Sequence, residues 1–471
     1  REEMAEMRYN RRIIFMAMQK KLLAIGCGGA GMFSLVVASQ LRKGKFETIV
    51  LSDEADIYCR CTSSYILSGE AELDDAIQPE SMVGDYGLKI VHDKALRIDR
   101  KSRTVTAESG TVYPYDHLVI GTGAHPFVPP IPGIDGAKVS TVRTSDDMRH
   151  IEAAAKEAKT AIIIGAGVIG IEIASALAER GIAASLIEGA PAISSLVADA
   201  EFAKYLVDHL ASHGITVRFG VSVKEIRDTD GRKEVVILQD GTESVLATDM
   251  VVVATGVRPN LDIIEGTGIA ATAQGILVDR RMRTNDPHIS ACGDCVVTHS
   301  AVTGERVGSG LASLAIQQSK IVGFQIAGYP IRYSGSTGAF AFRILGKEYA
   351  LAGLSEEEAR KRFRFVIVGR AESTNIYNDL KGKEPLSVKL IFAGPRMRLV
   401  GYEAFGKGVI SSAEVASFAI GMRCSVLQML HFNYIAHPSL TAWPFMNPLI
   451  MASEDAMGTL MTKIKAFFHI G

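Results

Sequence analysis

Two glycine triplets carry the first chemical signal. Gly26, Gly28 and Gly31 follow the apolar run KLLAI, and Gly165, Gly167 and Gly170 follow AIII. In a G-x-G-x-x-G turn the first glycine makes the bend and the second lets the backbone approach a pyrophosphate. The third lets the following helix pack closely on the sheet, and the helix N-terminus offers free N–H groups to the phosphates. Each triplet lies between an apolar strand and a helical run, the context that separates this motif from a chance match. A carboxylate ending the next strand would accept hydrogen bonds from both ribose hydroxyls. In the second unit that strand, AASLI, ends in Glu188. Gly189, Ala190 and Pro191 follow, with no cation for a 2′-phosphate, so NADH is expected over NADPH. In the first unit TIVL runs into Ser52, and Asp53, with Glu54 beside it, is the expected ribose acid.

These triplets require a strand, a turn, a helix and a second strand, and the chain supplies that series twice, about 140 residues apart, too long a period for a solenoid. Strand signals at 103–121 lead into HLVIGTG, and others at 216–256 lead into MVVVATG. A helix is expected from Leu311 to Ala327, and beyond Pro330 the pattern becomes a mixture of strands and helices. The 471 residues suit about three domains. With a net charge of -1 there is no electrostatic reason for a nucleic-acid or anionic-membrane partner. Apolar stretches fall short of the roughly 18 residues a membrane span needs. Six cysteines, none in zinc spacing with histidines, imply free thiols, no metal site and a reducing, cytoplasmic compartment. Residues 1–17 do not read as a secretory signal. They are expected to be a surface arm or sequence ahead of a start at Met18.

Two further segments, LVIGTGAHPFVPPIPG at 118–133 and SACGDCVV at 290–297, complete a pattern with the triplets. Over residues 20–330 the chain resembles the pyridine nucleotide-disulfide oxidoreductases, flavoproteins with two dinucleotide folds. The resemblance implies an α/β protein with two Rossmann-like domains, for FAD and NAD, and a C-terminal α+β dimerisation domain. It places the first part of the FAD domain at 18–144, the NAD domain at 145–270, the rest of the FAD domain at 271–330 and the dimerisation domain at 331–471. It also assigns Asp294 to the flavin ribityl chain, Thr122 and Gly123 to the first cofactor turn, and Gly256 to the turn returning the chain to the FAD domain. Glu172, two residues beyond Gly170, would lie near the flavin–nicotinamide junction or be an exposed helix acid. Val168 stands where related disulfide reductases often carry an aromatic lid.

The two-cysteine members of this family carry C-x-x-x-x-C after the first triplet. Here Ser64 and Ile66 occupy the required second positions, which excludes that disulfide. The segment IYCRCTSSYILSGE, residues 57–70, instead resembles the single-cysteine branch: coenzyme A-disulfide reductases, persulfide reductases and NADH oxidases. Laid on that pattern, Cys61 is the redox cysteine and Tyr65 the tyrosine that follows. A helix start and the neighbouring Arg60 should favour its thiolate. Cys59 is expected to be secondary, because a Cys-x-Cys disulfide closes a strained ring. Cys27, Cys292, Cys295 and Cys424 are assigned no redox role.

The last domain resembles the family's dimerisation domain, which implies a homodimer. HFNYIAHPSLTAWPFMNPL resembles the stretch that reaches the partner's cysteine, with Tyr434 and His437 as candidate proton donors or as packing residues at the interface. Trp443, Phe445 and Met446 read as interface residues. Arg42, Lys43 and Lys45 could hold coenzyme A phosphates or form a solvated basic turn. The functions left open are reduction of a persulfide, polysulfide or coenzyme A-disulfide through Cys61, NADH oxidation by oxygen, and NADH sensing by a flavin-binding protein.

Overall fold

The computed structural model describes residues 19–194 and 197–468; the 1–17 leader and Met18 lie outside them. Lys20–Ile25 forms the central strand of a five-stranded parallel sheet. Its order is Ile289–Ala291, His117–Ile120, Lys20–Ile25, Phe46–Ser52, Leu88–His92. Leu22, Leu23 and Ala24 are buried, as a strand covered on both faces requires. The helices Gly31–Leu41 and Ala312–Ile326 pack against each other beside it. The strand Ile289–Ala291 comes from far along the chain, so the first sheet closes only after the second has been built.

A second parallel sheet has the order Val139–Thr141, Met250–Val253, Thr160–Ile164, Ala183–Glu188, Thr216–Phe219. Val139–Thr141 belongs to this sheet although it precedes residue 145. The helix Ser145–Ala155 is a crossover, and a crossover needs a strand of the same sheet at each end. A three-stranded antiparallel sheet accompanies each parallel one, at Ala95–Pro114 and Val221–Thr248.

The third unit is a five-stranded antiparallel sheet ordered Phe340–Ile344, Lys347–Gly353, Arg398–Gly406, Pro385–Ala393, Val366–Thr374. The helices Ile410–Gly421 and Pro448–Phe468 cover it. Phe418 (71% exposed), Ile435 (85%), Leu440 (74%) and Phe445 (84%) leave this unit with apolar surface in water. Exposed apolar side chains of this size suit contact with another molecule.

A buried charge cluster ties the third unit to the second. Lys389 and Glu403 are each only 1% exposed. Lys389 Nζ donates to Asp199 at 2.7 Å and lies 2.9 Å from Glu403. The Asp199 backbone N–H and the Tyr349 hydroxyl donate to the other Glu403 oxygen, at 2.8 and 2.6 Å. Removing one partner of a buried pair leaves an uncompensated charge and costs about 3–5 kcal/mol. Lys389→Met is therefore expected to lower the thermal unfolding temperature sharply, and Glu403→Gln in that background to restore part of the loss. An unchanged melting temperature for Lys389→Met would show that the cluster contributes nothing to stability.

Candidate functional site

The two glycine turns sit at the carboxyl ends of their parallel strands. Gly26 has φ +102°, and a Cβ there would stand 2.2 Å from the Gly121 carbonyl oxygen. A Cβ built at Gly28 would meet only Arg60 Nη1, at 3.9 Å, and one built at Gly167 would meet nothing within 4 Å. Each cradle is thus sealed behind its first glycine and open at its second, which fits a pyrophosphate.

Strand register locates the ribose position. Gly26 N–H donates to Leu51 and Gly165 N–H to Ile187, so Ser52 and Glu188 occupy equivalent places. Asp53 lies one residue beyond and is exposed. Glu188 is held in place because its two oxygens accept from Ala166 N–H at 2.9 Å and Ala190 N–H at 2.8 Å. It lines an open cleft of about 810 Å³ together with Gly165, Gly167, Val168, Gly256 and Phe340. Gly170 stands behind this turn, where a Cβ would meet the Gly165 carbonyl oxygen at 2.0 Å. Gly31 closes the first turn in the same way, 2.5 Å from the Gly26 carbonyl oxygen.

The first cradle is lined by charge. Arg143 is partly buried, lies 3.5 Å from Asp294, and its Nη2 would be 3.0 Å from a Cβ placed on Gly123. Thr122 Oγ1 donates to the Asn260 carbonyl and Asn260 Nδ2 to the Thr122 carbonyl, both at 2.8 Å. Arg60 pairs with Glu54 and leaves its Nε buried without a partner. An orphaned buried donor beside open glycine backbone suits an anionic group, so the residues present fit FAD. Asp294, Arg143, Thr122, Gly123 and Gly28 would hold it.

Cys61 lies in a single 3-10 turn, Arg60–Thr62, ahead of the short helix Ser63–Ser68. The sequence expectation of a favoured thiolate is not met. The residue is exposed, yet its sulfur is crowded enough that loss of water is the largest cause raising the thiol above its usual value; Cys59 and Glu172 raise it further. Arg60 opposes this only weakly, because its guanidinium faces Glu54. Cys27 is pushed up to about 12, mainly by burial, and Cys292 and Cys295 are buried and raised likewise, as inert thiols would be.

Glu172 is the most perturbed acid near Cys61. Burial raises its carboxyl to about 7, and Arg343 only partly opposes the shift. It lines a narrow crevice with Tyr65, Ser68, Glu179 and Arg343. Arg343 pairs with Glu70 and Glu179 and stands 5.2 Å over the Tyr65 ring. This arginine belongs to the strand Phe340–Ile344, so the third unit reaches into the site. Sequence reasoning missed Arg143, Arg343 and Phe340. Only the long-range fold brings them in, although the triplet Thr-Val-Arg after the first cofactor turn was a visible basic position.

Tyr434 and His437 lie on an exposed loop. Tyr434 OH donates to Pro444 at 2.9 Å, and His437 bonds to Ser439 and Thr441. None of these bonds reaches the Cys61 segment of the same chain.

Residues 20–319 match the family model described as pyridine nucleotide-disulphide oxidoreductase, and residues 340–444 match the dimerisation domain of the same family. The chain belongs to this family and is an NADH-dependent flavoprotein oxidoreductase with FAD and NAD as cofactors. It is 30% identical over 457 residues to an NADH oxidase of Methanocaldococcus jannaschii, covering 94% of this chain and 100% of that one. A NAD-dependent persulfide reductase from A. fulgidus superposes with a TM-score of 0.88 at 27% identity, over 94% of this chain and 84% of the other. A reduced CoADR-RHD of Bacillus anthracis superposes with a TM-score of 0.87 at 26% identity, over 94% and 81%. The dimerisation domain supports a homodimer. No helix among the described residues is long and apolar enough to cross a membrane.

Two outcomes are expected of this geometry. Glu188, held at the cleft with no cation in the residues that follow, should give NADH a kcat/KM on the order of tenfold or more above NADPH; steady-state kinetics with a preference for NADPH would contradict the assignment. Ionised Glu172 raises the Cys61 thiol, so Glu172→Gln should move the midpoint of Cys61 alkylation to lower pH. The comparison is made with iodoacetamide in a Cys59→Ser background, and an unmoved or higher midpoint would break the coupling.

Proposed function

We propose that this flavoenzyme oxidises NADH and passes the electrons to a sulfur compound (a persulfide, a polysulfide or a coenzyme A-disulfide) through Cys61, as a cytoplasmic homodimer. One observation carries the reading: a solvent-accessible thiol stands next to a carboxyl balanced near neutrality, at the edge of the flavin cradle. FAD, when bound, accepts hydride from the nicotinamide and returns two electrons to the acceptor side. Glu188 orients the nicotinamide dinucleotide, and the open Gly28 and Gly167 turns hold the two pyrophosphates. Cys61 attacks a sulfur–sulfur bond, forming a mixed disulfide and releasing thiolate or hydrosulfide. Two electrons and a proton then cleave the mixed disulfide, regenerating the Cys61 thiol and releasing the other half of the substrate as a thiolate or hydrosulfide. Glu172, whose carboxyl burial raises to about 7, is suited to hold that proton. Tyr434 and His437, exposed on the unit that carries the dimerisation match, could act across the dimer as a second proton source.

The raised Cys61 thiol favours a second reading, in which oxygen takes the electrons directly and the cysteine is a bystander. The M. jannaschii relative's name fits that reading.

Anaerobic reduction with NADH, followed by separate additions of a polysulfide, coenzyme A-disulfide and air, distinguishes the two. Cys61→Ser should keep FAD and its reduction by NADH, yet lose sulfur-dependent turnover on the order of a hundredfold. Cys59→Ser should do much less. Reoxidation by air alone, with Cys61→Ser unchanged, would replace the sulfur reading with the oxidase.

A further inference from the structure

Far from the cofactor clefts in sequence, a cavity of about 510 Å³ opens between the turn at 394–398 and the end of the helix Ile410–Gly421. Its floor is apolar: Val302, Phe363, Leu399, Val400 and Ile420. Its remaining walls carry Arg396, Arg398 and Arg423, and no acidic residue lines it. Elsewhere in the chain arginines pair freely with carboxylates, as Arg343, Arg360, Arg362 and Arg370 do. Among the described residues, none of these three guanidiniums has a carboxylate within pairing distance. Three cations lining one cavity without a counter-charge make it a favourable place for an anion.

The backbone that carries the arginines is also held in place. Met397 and Arg423 both adopt left-handed backbone, at φ 47° and 57°, a conformation few side-chain-bearing residues take. The two turns are stitched together, since Leu399 N–H donates to the Cys424 carbonyl at 2.7 Å and Val426 N–H to the Met397 carbonyl at 2.9 Å. Ile420, on the cavity floor, is 2% exposed, whereas Phe418 is 71% exposed. Two residues apart is about 200° around a helix, so the cavity and the apolar face holding Phe418 lie on opposite sides.

We propose that this cavity is an accessory binding site for a small organic phosphate with a compact apolar or aromatic body. The arginines would take the phosphate through charge-assisted, bidentate hydrogen bonds, and the apolar floor would take the body. The site uses neither flavin nor nicotinamide residues and does not depend on the acceptor proposed above.

Calorimetric titration of the FAD-loaded protein, with its nucleotide site saturated by NAD, tests this with phenyl phosphate as the probe. Binding is expected, weakening as ionic strength rises, with inorganic phosphate and benzyl alcohol each binding at least tenfold more weakly. Arg396→Ala/Arg423→Ala should weaken phenyl phosphate on the order of tenfold or more while flavin reduction by NADH stays unchanged. Retained flavin reduction shows that this variant is folded. No binding of phenyl phosphate, equal binding of inorganic phosphate, or undiminished binding by the folded double variant would each overturn the proposal.

Discussion

The site depends on one local constraint, the crossing of two turns between the parallel sheets. The chain leaves the first sheet at Thr122–Ala124 and the second at Thr255–Asn260. These segments are paired to each other: Ala124 stands opposite Pro259, and Asn260 and Thr122 exchange side-chain to backbone hydrogen bonds. Each such bond contributes about 1 kcal/mol net. Their weight lies in placement, because both turns lie at the cofactor ends of their sheets. Fixing one against the other fixes how the first cradle faces the second cleft, which two-cofactor electron transfer requires. Phe127 N–H donating to the Gly256 carbonyl, and Arg258 lying 4.8 Å over the Phe127 ring, extend the same junction.

A second constraint holds the third unit to this pair. Lys389, Asp199 and Glu403 form a cluster whose charges are nearly sealed from water. Burying charge is expensive unless every partner is satisfied, so such a cluster tolerates few alternative arrangements. It therefore sets the relation between the nucleotide sheet and the antiparallel sheet. That relation in turn delivers Arg343 to Glu70, Glu179 and the Tyr65 ring, and Phe340 to the nucleotide cleft. A unit matching a dimerisation domain thus also supplies side chains to the reactive face.

What the sequence made legible was local. The glycine triplets report their own backbone geometry, and Glu188 ends a strand whose apolar run is unambiguous. Register is harder where a strand is followed by several polar residues. Asp53 was the natural acid after TIVL, but parallel pairing puts Ser52 at the position of Glu188. The state of Cys61 was not legible at all. Its sequence neighbours, Arg60 and an expected helix start, argued for thiolate. In the fold Arg60 faces Glu54, the helix is a short one preceded by a 3-10 turn, and Glu172 approaches from more than a hundred residues away. Arg343 and Arg143 were hidden for the same reason, since long-range packing alone gives them a role.

Glu172 and Cys61 are best understood as one coupled unit. Each disfavours the charge of the other, because the ionised carboxylate raises the thiol and a thiolate would raise the carboxyl. With the carboxyl near 7 and the thiol raised above its usual value, a proton shared by the pair at neutral pH resides on Cys61, and a thiolate is least opposed when Glu172 is protonated. Such a pair does not keep a permanent thiolate, as an isolated cysteine beside a free arginine would. Protonation of the neighbouring carboxyl removes one cause that raises the thiol, while burial and Cys59 remain. In the proposed reaction a sulfur acceptor would release its leaving group as a base. A protonated Glu172 would supply the proton that leaving group needs, and its ionisation would return the site to the state in which a thiolate is disfavoured. Burial and the neighbouring Cys59 raise this thiol most, and the long-range placement of one glutamate adds the carboxyl whose protonation can relieve part of that shift.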